Sequence, residues 1–136
     1  MLRPARQRRY SDRRASVLTE LAICLPVLTL LVLGSIDIAN TIHLKHTATL
    51  AAYETAQVST AQGGTEAEGR TKGLAILTER GISNATIAFN PRINNNTAPG
   101  TRIRITVTVP ANGNTLGLTG YFTNRTIIVR TFMRKM

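Results

Sequence analysis

Glu20 places a carboxylate inside an apolar run, and that run begins directly behind an arginine-rich head. The order is Arg13-Arg14-Ala15-Ser16-Val17-Leu18-Thr19-Glu20-Leu21-Ala22-Ile23-Cys24-Leu25-Pro26, and apolar residues then continue from Val27 to Leu33. An ionisable group at membrane depth opposes insertion and usually marks a function. The chemistry open to Glu20 is electrostatic, because a carboxylate in low dielectric attracts a cation far more strongly than it would in water. Other reactive sets are sparse. His43 and His46, spaced i, i+3, could share a metal face with a third ligand. No Cys, Asp or Glu lies within one turn of either, so solvated or packed histidines are expected. No glycine-rich phosphate loop, paired catalytic carboxylates or nucleophile–base–acid set occurs, so the chain reads as no enzyme and as needing no cofactor or metal.

Positioning Glu20 requires a membrane helix, and the composition supplies one. Ser16 to Ile36 spans 21 residues, about 31 Å as a helix against a hydrocarbon core of about 30 Å. Its twelve Leu, Ile and Val residues contribute about −4 to −7 kcal/mol to insertion. A central carboxylate would oppose this by about 3 kcal/mol, and Glu20 lies near one end, where the penalty is smaller. Insertion wins. Pro26 removes one helical hydrogen bond and is expected to kink or loosen the helix. The net charge is +10; residues 1–15 hold six arginines against Asp12 and carry half of it. The positive-inside rule keeps such a head, Arg13 and Arg14 included, in the cytoplasm, which explains it more simply than a nucleic-acid-binding arm. The run is too long for a signal-peptide core, and no small-x-small site ends it before Asp37. It should remain attached as an anchor. The lone Cys24 lies inside it, so the exported part has no disulfide framework.

Beyond the span, Asp37 to Gln62 lacks Gly and Pro, so the helix is expected to continue outside the membrane. Ile38, Ile42, Thr49, Ala52, Tyr53 and Ala56 recur at three- and four-residue steps, so the continuation is expected to be amphipathic. Gly63-Gly64 ends it. Thr65 to Arg80 reads as a second helix, capped by Thr65 and stopped by Gly81, with Leu74, Ile76 and Leu77 as core contacts; Gly69 and Gly73 weaken that reading. Arg102 to Val109 alternates strictly, with Ile103, Ile105, Val107 and Val109 on one face. Ala85–Phe89 and Thr126–Met133 predict two further strands, the first joined to the alternating run through Asn90-Pro91 and the Asn94-Asn95-Asn96 loop. Leu116, Leu118, Tyr121 and Phe122, in the loop from Pro110 to Asn124, are expected to fold back on the sheet. The fold class predicted is α+β: a long amino-terminal transmembrane and amphipathic helix packed on a small antiparallel sheet, pilin-like in outline. The domains expected are a leader (1–15), a transmembrane helix (16–36), its extramembrane continuation (37–62) and a small exported α+β domain (63–136).

The basic head, the small-residue junction at Ala15, Glu20 five residues later and Pro26 six residues after that together resemble the amino-terminal signature of TadE-like proteins. These are pseudopilins of the tight-adherence (Flp) pilus system. Ala15 stands where glycine is usual and Leu21 where phenylalanine is frequent. The specific likeness covers about residues 13 to 34. Major pilins of the system are much shorter and almost all helix, so the exported domain implies a minor component.

The resemblance implies cleavage between Ala15 and Ser16 by a membrane-embedded prepilin peptidase at the cytoplasmic face. It further implies pairing of Glu20 with a subunit's new α-amino group, and a place in pilus assembly and adherence. The partners implied are other pilins and pseudopilins, the peptidase, the assembly platform of the bacterial inner membrane and membrane lipid, with no nucleic acid. The chain would be single-pass, its amino terminus cytoplasmic and its carboxyl-terminal domain extracytoplasmic. Two alternatives stand beside this: a minor pseudopilin of a type II secretion system, and an uncleaved, anchored extracytoplasmic binding protein or small hydrolase. The triplets Asn84-Ala85-Thr86, Asn95-Asn96-Thr97 and Asn124-Arg125-Thr126 match the glycosylation pattern but read as an Asn/Thr-rich exported surface. Arg102 and Arg104 read as a solvated strand face, or else as a site for an acidic partner.

Overall fold

The computed structural model describes the backbone of residues 5–94, 96–121 and 124–136, with side chains from Ala15 onward in those ranges. Asn95 and Phe122, and the side chains of Arg13 and Arg14, lie outside the described residues. Five elements follow in chain order: α1 (Ala5–Thr60), α2 (Glu66–Glu79), β1 (Thr86–Asn90), β2 (Arg102–Pro110) and β3 (Thr126–Arg134). The chain divides between Ile36 and Asp37 into two units.

The first unit is helix. The helix runs without a break through Pro26, whose missing N–H leaves the carbonyl of Ala22 without its usual donor. Among the described residues, Ala15–Thr60 holds a helix long and apolar enough to cross a membrane. Its large apolar side chains from Val17 to Val32 are all more than half exposed.

The second unit is the helix-on-sheet body, an α+β fold. The sheet is antiparallel in the order β1-β2-β3, with Phe89 opposite Ile105 and Val107 opposite both Ile87 and Val129. Strict alternation puts Ile103, Ile105, Val107 and Val109 on the covered face at 0% exposure, which is why β2 is central. Against them lie Leu44, Ala48, Ala51, Ala52 and Ala56 of α1.

That packed face meets the sequence expectation in part. Ala52 and Ala56 are buried, but Ile38, Ile42 and Tyr53 are about half exposed, and Thr49 is exposed. The helix turns its small residues inward because β2 already supplies branched bulk. An alanine face lets the helix approach that bulk without overfilling the core.

Helix α2 begins with a full capping box: Glu68 N donates to Thr65 Oγ1 at 3.2 Å, and Thr65 N donates to Glu68 Oε2 at 3.1 Å. Leu77 is buried and Ile76 packs against the core, whereas Leu74 is about a third exposed. The helix forms despite Gly69 and Gly73, which are its points of close approach to α1. A Cβ on Gly69 would stand 2.7 Å from Ser59 Cβ, and one on Gly73 would collide with Thr55 Oγ1 and stand 2.7 Å from Ile87 Cδ1.

Candidate functional site

Ala15, Ser16 and Glu20 lie on consecutive turns of α1. The Ala15 carbonyl accepts a hydrogen bond from Thr19 Oγ1 at 2.9 Å. Ser16 and Glu20 stand four residues apart, one above the other on the helix surface. Glu20 is exposed, and among the described residues no hydrogen bond or ion pair engages its carboxylate. Pro26 is embedded in the same helix. Among the described residues the arrangement thus presents an acid without a partner on an apolar rod, able to attract a cation.

The second unit adds an apolar stripe to α1. Ile38, Ile42 and Tyr53 are 50%, 51% and 51% exposed and cluster on one side at 3.6 residues per turn. They lie away from the covered positions Leu44, Ala48 and Ala51. His43 and His46 are both exposed, and among the described residues no group of three His, Cys, Asp or Glu could hold a metal.

Asp37, which the sequence reading passes over, is the most engaged acid among the described residues. It is 1% exposed. Its Oδ1 accepts from Leu118 N at 3.0 Å, and its Oδ2 accepts from Thr119 N at 2.7 Å and from the Thr119 hydroxyl. The Thr119 hydroxyl, then the Thr119 amide, hold the carboxyl below its ordinary 3.8; burial opposes them and the Leu118 amide adds to them. The loop between β2 and β3 is therefore fastened by its backbone. Of the side chains expected to fold back on the sheet, the described ones do not: Leu116, Leu118 and Tyr121 remain 66%, 47% and 68% exposed. Asn114 ties the loop's first half to Ser83, donating from Nδ2 to Ser83 O and accepting from Ser83 N, both at 2.8 Å. The sequence signal for Asp37 was slight. It is the only carboxylate between Glu20 and Glu54, and its partners lie more than eighty residues away.

Lys135 makes the matching fastening where α1 ends. No basic residue occupies the last turn of that helix. Lys135 Nζ instead donates to the carbonyls of Ser59, Ala61 and Gly64 at 3.2, 3.1 and 2.8 Å. Met136 N adds a bond to Thr60 O at 2.9 Å. A cation at a helix carboxyl end satisfies orphan carbonyls and complements the dipole.

Residues 15–57 match the model of the family described as TadE-like protein. The match includes the junction, Glu20, Pro26, Asp37 and the exposed stripe. No curated protein and no solved structure matches the chain.

Proposed function

We propose that this chain, TadE-like through most of its long helix, is a minor pseudopilin of a tight-adherence pilus, made as a precursor and built into or onto the assembling fibre. Residues 1–15 are the cytoplasmic leader, with Arg13 and Arg14 fixing topology. Residues 16–36 cross the inner membrane, residues 37–62 extend the helix beyond it, and residues 63–136 complete the extracytoplasmic domain. The prepilin peptidase cuts between Ala15 and Ser16. Ser16 then carries an α-amino group with a pKa of about 7.7–8.0, protonated for the most part near neutral pH.

That cation would give Glu20 the partner it does not have among the described residues. A carboxylate alone in hydrocarbon pays the full desolvation penalty; a neighbouring subunit's terminus offsets part of it by direct attraction and fixes how far one helix slides along the next. The observation that carries the reading is an exposed Glu20, without a hydrogen bond or ion pair among the described residues, on a helix whose large apolar side chains from Val17 to Val32 are more than half exposed. The outward stripe of Ile38, Ile42 and Tyr53 supports it, since it offers apolar surface for helix-to-helix contact beyond the membrane.

Amino-terminal sequencing and intact mass of the protein extracted from the envelope of peptidase-competent cells test the proposal. Ser16 is expected as the first residue. A chain that still begins at Met1 would reduce the protein to a tethered extracytoplasmic module.

A further inference from the structure

Acidic residues stop at Glu79. The 57 residues that follow contain eight Arg or Lys and no Asp or Glu. Four of the eight, Arg102, Arg104, Arg130 and Arg134, lie exposed on β2 and β3. They alternate with the residues of the covered face, so all four project from the outer face of the sheet. The register sets Arg102 directly opposite Arg134, Arg104 opposite Phe132 and Arg130 opposite Thr106. Like charges directly across an antiparallel pair are destabilising. Among the described residues the one ion pair joins Arg70 to Glu66, so none of these four arginines is neutralised within the fold.

Phe132 organises part of the cluster. Arg102 and Arg104 place their guanidinium carbons 4.4 and 5.2 Å from its ring centre. Cation–π contact holds both side chains over the ring while their N–H edges stay open. Asn90, Pro91, Arg102, Arg104 and Phe132 line a shallow depression there. Guanidinium edges fixed in this way suit planar carboxylates, which they bind through two parallel hydrogen bonds.

We propose that the outer face of the sheet is a binding surface for an acidic polysaccharide, its carboxylates paired with Arg102, Arg104, Arg130 and Arg134. Charge complementarity requires a polyanion, because cations spread over two strands exceed what one small anion can neutralise. The interleaved groups favour a glycan. Thr106, Thr108, Thr126 and Asn90 set hydroxyls and an amide among the arginines, suited to sugar hydroxyls. The face carries a single ring, Phe132, whereas surfaces for single-stranded nucleic acid stack successive bases on several aromatics. The proposal rests on the extracytoplasmic placement given above, but its test does not involve cleavage or assembly, so the two can fail separately.

The test uses the full chain in detergent micelles, with immobilised polygalacturonate, neutral dextran and single- and double-stranded DNA as probes. Retention on polygalacturonate alone among these is expected, and it should fall as salt is raised. Arg102→Gln with Arg104→Gln should weaken it about tenfold or more, the loss expected when charge-assisted bidentate pairs are removed. Arg80→Gln with Arg92→Gln removes the same charge from outside the four-arginine cluster and should leave most of the binding. Arg130→Gln, which leaves the Phe132 contacts intact, should give an intermediate loss and guards against misfolding of the double variant. Equal losses in the two double variants, binding to DNA in preference to polygalacturonate, or no retention of the wild-type chain would each overturn the proposal.

Discussion

Asp37 Oδ2 accepts both the amide and the hydroxyl of Thr119, a residue 82 positions further along the chain. One carboxylate oxygen thus sets the position of the loop that feeds β3. A buried acid engaged by hydrogen bonds alone is a pH-dependent fastening.

Asp37→Asn keeps the volume but leaves one acceptor oxygen where two served three donors. Its urea midpoint at pH 7 should fall below that of the wild type, and protease cleavage should rise between Leu116 and Tyr121. The wild type should itself weaken in acid. Because the folded carboxyl titrates below its ordinary 3.8, its contribution is complete above that value and is lost as pH falls through the lowered one. Unfolding of both proteins from pH 7 to pH 2 tests this. The two curves should converge at the acid end; a constant gap would show that Asp37 acts by packing rather than charge.

Lys135→Gln should lower stability by about 1–2 kcal/mol, the scale of a cation placed at a helix carboxyl end. The loss should appear as faster amide exchange in the last turn of α1, near Ser59 and Thr60. Unchanged exchange there would leave the fastening without energetic weight.

Gly73→Ala should destabilise by about 1–3 kcal/mol despite alanine's better helix propensity, because the new methyl meets a packed neighbour. Thr55→Ala removes the hydroxyl it strikes, a buried group with no hydrogen-bond partner among the described residues. The double variant should therefore lose less than the sum of the two single losses, by about 0.5 kcal/mol or more. Additive losses in thermal unfolding would place the strain at Ile87 instead.

Glu20→Val should insert into membranes at least as well as the wild type, since an apolar side chain replaces a carboxylate. It should nevertheless fail to restore pili or surface adherence to a deletion strain. Glu20→Asp should be intermediate, keeping charge but losing reach. Piliation equal to the wild type in the valine variant would remove Glu20 from the assembly mechanism.

The β-sheet was legible because its chemistry is local and periodic. Arg102 to Val109 alternates without exception, and one covered face makes that alternation the register. The Thr65 cap was equally local. The face of α1 was read in part: Ala52 and Ala56 are buried, but Ile38, Ile42 and Tyr53, grouped with them, are not. Where a sheet supplies the bulk, the helix buries Ala48, Ala51 and Ala52 and leaves Ile38, Ile42 and Tyr53 outside. Gly69 and Gly73 counted against α2 because helix propensity describes a helix alone and not one pressed against another. Around the candidate site, Glu20 and Pro26 announce themselves by interrupting an apolar run. Asp37 and Lys135 carry no such mark, because what defines them is contact with residues more than seventy positions away.

Those two residues grip opposite ends of one helical stretch, residues 37 to 60, and both tie it to the last third of the chain. A load along that stretch would stretch both grips at once, so rupture would require several bonds to break together. A load across it would peel the Leu118–Thr119 loop from its acid first. A chain fastened in this way would bear axial tension well and yield to sideways prying.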